Sequence, residues 1–374
     1  MAPGKYPYGV CIGRAQPPTR AHIGSLRRGL QMADRIAVLV DGCRLAPSTR
    51  NPFSFEQRVA LFSASLCEEE LGRLRFFPLH DHPYAVARWR AEVERCLAEF
   101  TAGGPGPDAG VVLLGLEPDP SGHGLDLLPQ LARVDTGWEG AADRSAATHL
   151  RARYLEGGLD FRDQVAEGAG AWLERFMATS AFTDLAREQA FIRKFKDSWK
   201  GSPYPPTFNT ADALVVASGQ VLLVLRGGFP GHGLLALPGG YLNQEETLLE
   251  CALRELHEET GLEVEDRELR AGVVAQRTFD HPERSDRGRI ITEAFAIRLE
   301  TGGAGWLPGM CARGGDDAKG ALWMPLDECA GQPERFFEDH LAILEAFQDR
   351  LEAKDLMVGS LAVRPPEPCW PTWR

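Results

Sequence analysis

Gly239 to Leu262 reads GGYLNQEETLLECALRELHEETGL, and this stretch decides the fold of the second half of the chain. From Gly240 five residues lead to Glu246 and seven more to Arg254, followed by Glu255, Leu256, His257, Glu258, Glu259, Thr260, Gly261 and Leu262. Leu249, Ala252, Leu253 and Leu256 recur at helical spacing and predict one apolar stripe, while Glu255, Glu258 and Glu259 fall together on the neighbouring face. Like charges at that spacing repel by roughly 0.2–0.5 kcal/mol per pair in solvent. The crowding becomes favourable once a hard divalent cation that prefers oxygen sits among them, and Mg²⁺ is the natural occupant. Gly239 and Gly240 let the backbone turn tightly and approach a ligand, and Gly261 suits the left-handed end of a helix. A solvated acidic helix face is the alternative reading of the same residues.

Taken together, these positions reproduce the full Nudix box, and the segment resembles Nudix hydrolases at every defining position. The resemblance implies that Glu255, Glu258 and Glu259 hold Mg²⁺, with Mn²⁺ as a substitute, that Arg254 orients the carboxylates, and that Glu246 stands behind them or faces the metal. Gly240 then belongs to the turn that meets substrate. The choice of one glutamate as base stays open at this level.

Length and composition set the frame. The chain has 374 residues, too many for one ordinary core, which predicts two domains. Net charge is −12, from 41 Lys and Arg against 53 Asp and Glu, which argues against a nucleic-acid or anionic-membrane partner. Cys11, Cys43, Cys67, Cys96, Cys251, Cys311, Cys329 and Cys369 show no C-x-x-C pair and no metal-like spacing, so they read as reduced thiols of a cytoplasmic protein. The start of the chain is short and polar rather than signal-like, and no apolar run approaches the ~20 residues of a membrane span.

In the first half, Tyr8 to Gly13 reads as a buried strand, followed by a helical stretch to about Ala33 and a second apolar strand, Ile36 to Val40. Further strands are predicted at Leu74 to Leu79 and Gly110 to Gly115, with helices near Phe55 to Cys67 and Tyr84 to Phe100. This alternation predicts an α/β domain with a doubly wound parallel sheet, whose ligands bind beyond the carboxyl ends of the strands, where Gly13 to His22 would lie.

That segment, Gly13-Arg14-Ala15-Gln16-Pro17-Pro18-Thr19-Arg20-Ala21-His22, is similar to the nucleotidyltransferase signature, a strand leading into (His/Thr)-x-Gly-His at a helix N-terminus. Thr49 to Phe53, with Glu56 and Arg58, resembles a second stretch of nicotinamide mononucleotide (NMN) adenylyltransferases, and Asp81 and Trp89 match positions associated there with the nicotinamide. With the box downstream, residues 6–350 resemble bifunctional NMN adenylyltransferase/Nudix hydrolases. The resemblance implies nucleotide contacts from Gly13, Arg14, Thr19, His22, Asn51, Arg58, Trp89 and Arg151, for ATP and NMN. The sequence also departs from the pattern. Thr19 stands where this family usually has histidine, Ala21 replaces glycine, Leu116-Glu117-Pro118-Asp119 replaces His-x-Lys-Asp, and Ala146-Ala147-Thr148-His149-Leu150-Arg151 has lost two hydroxyls. These changes predict an adenylyltransferase-like domain with weakened activity.

Gly170 to Lys200 reads as helical, and Gly201 to Pro206 as a turn-rich joint. Strands at Ala211 to Ala217, Gln220 to Leu225, Gly272 to Thr278 and Ile290 to Leu299, with a last helix from Glu338 to Leu351, complete an α+β Nudix fold domain. Between the later strands, Arg277, Arg284, Arg287 and Arg289 share one loop with Phe279; four arginines suit two phosphates, and Phe279 suits a base or ribose. A solvated charged hairpin is the competing reading. The loop resembles that of ADP-ribose-hydrolysing Nudix domains, as does Gly314 to Lys319, in which Asp317 could add a carboxylate. His123 and Gly103 to Pro107 read as loop. The expected organisation is 1–185 nucleotidyltransferase-like, 186–206 linker, 207–352 Nudix and 353–374 a loosely ordered tail.

The function these features predict is Mg²⁺-dependent cleavage of ADP-ribose to AMP and ribose 5-phosphate, fused to an NMN adenylyltransferase-like domain of NAD metabolism. A fully active bifunctional enzyme and an ADP-ribose-sensing regulator are the rival readings. Small nucleotides are the expected partners, and a homo-oligomer is left open.

Overall fold

The computed structural model describes residues 6–102, 110–114, 128–136, 146–299, 308–309 and 318–355. The readings placed on 103–107, on Gly115 to Asp119, on His123, on 314–317 and on the tail from 356 lie outside the described residues.

The first sheet follows from alternating apolar runs. Its elements are β1 (Tyr6–Gly13), α1 (Arg20–Met32), β2 (Ala33–Cys43), α2 (Phe55–Ser63), α3 (Glu68–Leu71), β3 (Leu74–His80), α4 (Val86–Thr101), β4 (Val111–Leu114) and β5 (Ala132–Val134). Among the described residues five strands lie in the order β3-β2-β1-β4-β5, every pairing parallel. Along β2 the side chains alternate: Ile36, Val38 and Val40 pack with Ile23, Leu26 and Leu30 of α1, whereas Ala37 and Leu39 pack with Trp89, Val93 and Leu97 of α4. Helices therefore cover both faces, as a parallel sheet requires, and the fold is the doubly wound α/β domain expected. The predicted helix Phe55 to Cys67 is two pieces, α2 and α3, since the chain leaves helical form after Ser63 and restarts at Glu68.

A helical layer follows, with α5 (Ala146–Leu155), α6 (Glu167–Met177) and α7 (Ser180–Ser198). Phe53, Tyr154, Phe161, Leu173 and Phe182 form its core. Farther along α7, Phe195 instead packs against Phe208 of the second sheet, with ring centroids 5.4 Å apart. One helix thus spans the two bodies.

The second sheet contains β6 (Thr207–Ala217), β7 (Gln220–Arg226), β8 (Leu235–Ala236), β9 (Gly239–Tyr241), β10 (Val273–Phe279), β11 (Arg289–Arg298) and β12 (Ala318–Pro325). The path is β10-β11-β6-β7-β12, with β8 paired to β7 and β9 to β6. Within this sheet only β6 and β11 pair in parallel among the described strands. One face is covered by α8 (Leu248–Thr260), through Cys251, Ala252, Leu253 and Leu256. The other is covered by α11 (His340–Asp355), through Ile343, Leu344 and Phe347. Burying side chains of this size contributes ~1.5–3 kcal/mol each. The short α9 (Asp266–Ala271) and α10 (Leu326–Cys329) complete the set. No described helix is long and apolar enough to cross a membrane.

The two bodies are joined by polar contacts between loops. The Thr49 hydroxyl donates to Asp286 Oδ2 at 2.6 Å, and Arg50 Nη2 lies 2.8 Å from Asp286 Oδ1. Glu188 of α7 accepts from Thr49 N at 3.3 Å and from Gly231 N at 2.9 Å. Tyr84 donates its hydroxyl to Asp339, and its ring stands edge-on to Phe279 at 4.8 Å.

Candidate active site

The helix α8 begins and ends as its local chemistry dictates. Thr247 Oγ1 accepts from Glu250 N at 3.3 Å while Thr247 N donates to Glu250 Oε2 at 2.8 Å, a reciprocal cap. Gly261 closes the other end with φ 57°, a conformation that costs little only without a Cβ. Between these ends Ala252, Leu253 and Leu256 are buried, while Glu255 and Glu259 meet the turn at β9.

Arg254 gathers three of those carboxylates. Its Nε and Nη2 donate to Glu246 at 2.9 and 2.7 Å, and its Nη1 donates to Glu255 Oε1 at 2.8 Å and Glu258 Oε2 at 3.0 Å. The hydrogen bond from Arg254 holds the Glu246 carboxyl down to about 2. Glu255 is pushed the other way, chiefly by burial. Glu259 stands apart from the arginine: its Oε2 accepts from Gly239 N at 3.0 Å, and burial, with repulsion from Glu255 added, pushes its carboxyl up to about 8. A Cβ on Gly240 would lie 2.3 Å from Glu255 Oε1, so the backbone of β9 and the glutamate share one narrow space.

Sequence reasoning missed a further carboxylate here. Asp212 of β6 is 5% exposed, Thr292 donates its hydroxyl to it, and burial pushes it up to about 6. It lies beside Gly239, whose Cβ would meet Asp212 Oδ1 at 2.2 Å. The available signal was a lone acid inside the apolar run Ala211 to Ala217, because a buried charge in a strand needs a reason.

The arginine loop differs from expectation. Phe279 is fully buried, packed against Phe347 and Tyr84, so it is a core side chain and offers no face to a base or ribose. Arg284 is 3% exposed and forms a two-pronged ion pair with Asp339 at 2.9 and 3.0 Å. Arg287 lies 3.3 Å from Glu338 and donates to Tyr241 Oη at 3.3 Å. Arg289 lies 3.7 Å from Asp280 Oδ2 and also donates to the Asp280 carbonyl. The loop is thus held by acids of its own domain. Glu338, which also accepts from the Ser285 hydroxyl at 2.7 Å, adopts φ 43°, an uncommon conformation for a residue with a Cβ.

In the first body the expected residues gather at the carboxyl ends of β1, β2 and β3. Gly13 ends β1 opposite Val40, Arg14 Nη2 contacts Asp81 Oδ2 at 2.6 Å, and Asn51 Oδ1 accepts from Gln16 at 3.4 Å. His22 Nδ1 accepts from Thr19 N at 3.1 Å and lies 2.7 Å from Thr19 Oγ1, so this histidine caps the first turn of α1. Arg151 donates to the Gln16 carbonyl at 3.2 Å. Two expected ligand contacts are corrected. Arg58 is 1% exposed and donates to the carbonyls of Arg14, Asp41 and Gly42, which makes it an internal brace for the loops. Trp89 is 2% exposed within the α4 core, because its position on the helix faces the sheet.

A cavity of about 240 Å³ lies between the bodies. Arg14, Asn51, Asp81 and His82 line one wall, and Glu188, Glu338 and Asp339 the other; the box carboxylates are not among its lining residues. The first site therefore opens onto the second domain, while the carboxylates of α8 form a separate centre.

Comparison with known proteins follows the same division. The family model of the NUDIX domain matches residues 207–347. The chain is 31% identical over 153 residues to the ADP-ribose pyrophosphatase of Methanocaldococcus jannaschii, spanning 40% of this chain and 82% of that protein. It is 25% identical over 184 residues to the nicotinamide/nicotinic acid mononucleotide adenylyltransferase of Acinetobacter baylyi, spanning 49% of this chain and 94% of that protein. A crystal structure of a bifunctional NMN adenylyltransferase/ADP ribose pyrophosphatase from Francisella tularensis, complexed with AMP and a Mn ion, is similar over both bodies. It has a TM-score of 0.82 and 27% identity, covering 92% of this chain and 99% of that one.

Proposed function

Since the chain belongs to the Nudix family, in the two-domain arrangement of bifunctional NMN adenylyltransferase/Nudix hydrolases, we propose that its second domain hydrolyses ADP-ribose to AMP and ribose 5-phosphate in the presence of Mg²⁺, with Mn²⁺ as a substitute. The observation that carries this reading is the convergence of Glu246, Glu255 and Glu258 on Arg254, with Glu259 half-buried beside Gly239.

The residues suit a hard divalent ion. The donors are carboxylate oxygens, Gly240 leaves the space beside Glu255 that a Cβ would fill, and Glu259 carries an electrostatic strain that positive charge relieves. Glu255, Glu258 and Glu259 would hold the ion, which supplies charge neutralisation of a diphosphate and a more acidic water. Arg254 fixes the carboxylates against one another, so that little reorganisation remains when substrate arrives. Glu246 anchors Arg254 from the far side. Asp212 stands against Gly239, whose N–H donates to Glu259.

For the first domain we infer an NMN adenylyltransferase-like site of weakened activity, with ATP and NMN meeting the carboxyl ends of β1 to β3. Thr19 and His22 are engaged with each other, and Ala21 adds a Cβ where the related motif has none. Arg14 and Arg151 stay close to that edge as cations for a nucleotide.

The deciding experiment is Glu258→Gln, with AMP release from ADP-ribose and thermal unfolding measured on one sample. Glu258 is 59% exposed, so the substitution should change stability by no more than about 0.5 kcal/mol. Turnover should fall by roughly a hundredfold or more. Turnover within a few-fold of wild type would remove Glu258 from the site.

A further inference from the structure

Away from α8, one group of side chains brings together metal-type donors that the hydrolase reading does not use. His80 ends β3 and His82 follows two residues later, with the two imidazole rings 5.8 Å apart between centroids. The helix α4 packs against β3 and delivers Glu92 onto them. Glu92 Oε1 lies 2.7 Å from His80 Nδ1, and Glu92 Oε2 lies 3.5 Å from His82 Nε2. One ligand atom from each of the three residues falls within 4.8 Å of the others.

We propose that His80, His82 and Glu92 form a binding site for a first-row divalent ion of the Zn²⁺ class, with its remaining coordination positions open to the cavity between the domains. Two imidazoles and one carboxylate are the donor types such an ion selects, whereas Mg²⁺ prefers oxygen alone. Donors about 2.0–2.1 Å from a tetrahedral ion stand roughly 3.4 Å apart. The His82–Glu92 separation already has that size, and His80 Nδ1 would part from Glu92 by less than about 1 Å to reach it. They are 27%, 18% and 12% exposed, so they are neither locked in the core nor loose in solvent. His80 and His82 both line the cavity, which gives an ion a route in and a place for an exchangeable ligand.

A plainer role for Glu92 is to cap the end of β3, since His80 N donates to its Oε2 at 3.2 Å. That bond explains a carboxylate at this position, but it does not call for a second imidazole beside the same group. The competing cation is Arg95, 3.6 Å from Glu92 Oε1, and its side chain is 60% exposed and can turn out to water. The location has a consequence. Asp81, between the two histidines, holds Arg14, and Tyr84 reaches Asp339 of the second domain. An ion on His80 and His82 would stiffen the segment that carries both contacts.

The test uses tag-free full-length chain with excess Mg²⁺ present to compete at the carboxylate cluster of α8, titrated with Co²⁺ as a coloured stand-in for Zn²⁺. A visible absorption band should grow and saturate near one equivalent. In His82→Ala and in Glu92→Gln the apparent affinity should fall by about tenfold or more. No band in the wild type, or a band of unchanged affinity in His82→Ala, overturns the proposal. The wild-type titration depends on no variant, and His82→Ala leaves the packing of α4 on β3 intact if Glu92→Gln does not fold. Hydrolysis of ADP-ribose is a separate readout, so failure here leaves the reading of the second domain untouched.

Discussion

Gly240 and Glu255 occupy one space: a Cβ built on the glycine would stand 2.3 Å from Glu255 Oε1 and 2.5 Å from its Cδ. The group that must give way is the end of a flexible side chain, so Gly240→Ala should fold, with Glu255 displaced from Arg254. A shift of about 1 Å in a reacting group costs on the order of a hundredfold in rate. We expect ADP-ribose hydrolysis to fall by roughly that factor with little change in melting temperature. Full activity in the alanine variant would show that Glu255 has another productive position.

The Arg284–Asp339 pair supports a prediction about stability. Both side chains are under a tenth exposed, and Asp339 also accepts from Tyr84 across the domain boundary. Asp339→Ala leaves a buried guanidinium without its partner, a change that typically costs about 3–5 kcal/mol. Denaturant unfolding should show a loss of that size. A loss under about 1 kcal/mol would mean that water reaches Arg284 once Asp339 is gone.

Glu188 gives the structure a pH dependence of definite sign. Burial pushes its carboxyl up, while the N–H groups of Gly231 and Thr49 act to lower it, and the net shift is upward from 4.5. An acid whose pKa is higher folded than unfolded binds more protons in the folded state between the two values, so stability falls as pH rises through that window. The melting temperature of wild type relative to Glu188→Gln should therefore drop as pH is raised from near 4.5. A difference that grows with pH would mean that the two N–H groups stabilise the carboxylate more than burial penalises it.

For the first domain, the triple variant Thr19→His, Ala21→Gly, Pro118→Lys should form NAD from ATP and NMN at least about tenfold faster than the unmodified chain, because it returns cationic and close-approach positions to a reaction carried by positioning and charge. Replacing Thr19 also removes its contact with His22, so melting should fall by the equivalent of about 1 kcal/mol for a lost cap. Turnover of the unmodified chain already near ~10 s⁻¹, the middle of the enzyme range, would end the argument for weakening.

What the sequence alone determined was a set of features governed by neighbours a few residues apart. The apolar stripe of α8, its Gly261 terminus and the crowding of Glu255, Glu258 and Glu259 are local, and so is the run of apolar residues that makes β2 apolar on both faces. Short or interrupted pieces such as β5, β8 and β9 have too few residues to show a period. Only the tertiary structure decided which way individual side chains serve. Phe279, Trp89 and Arg58 have the chemistry of ligand contacts, yet packing from distant segments turned two of them into core and the third into a brace for carbonyls. Asp212 gained its place beside Glu259 because β6 pairs with β9, and Thr49 met Asp286 across 237 residues. Periodicity and capping are written along the chain, whereas burial and the identity of a charge's partner depend on which surfaces close upon each other in space.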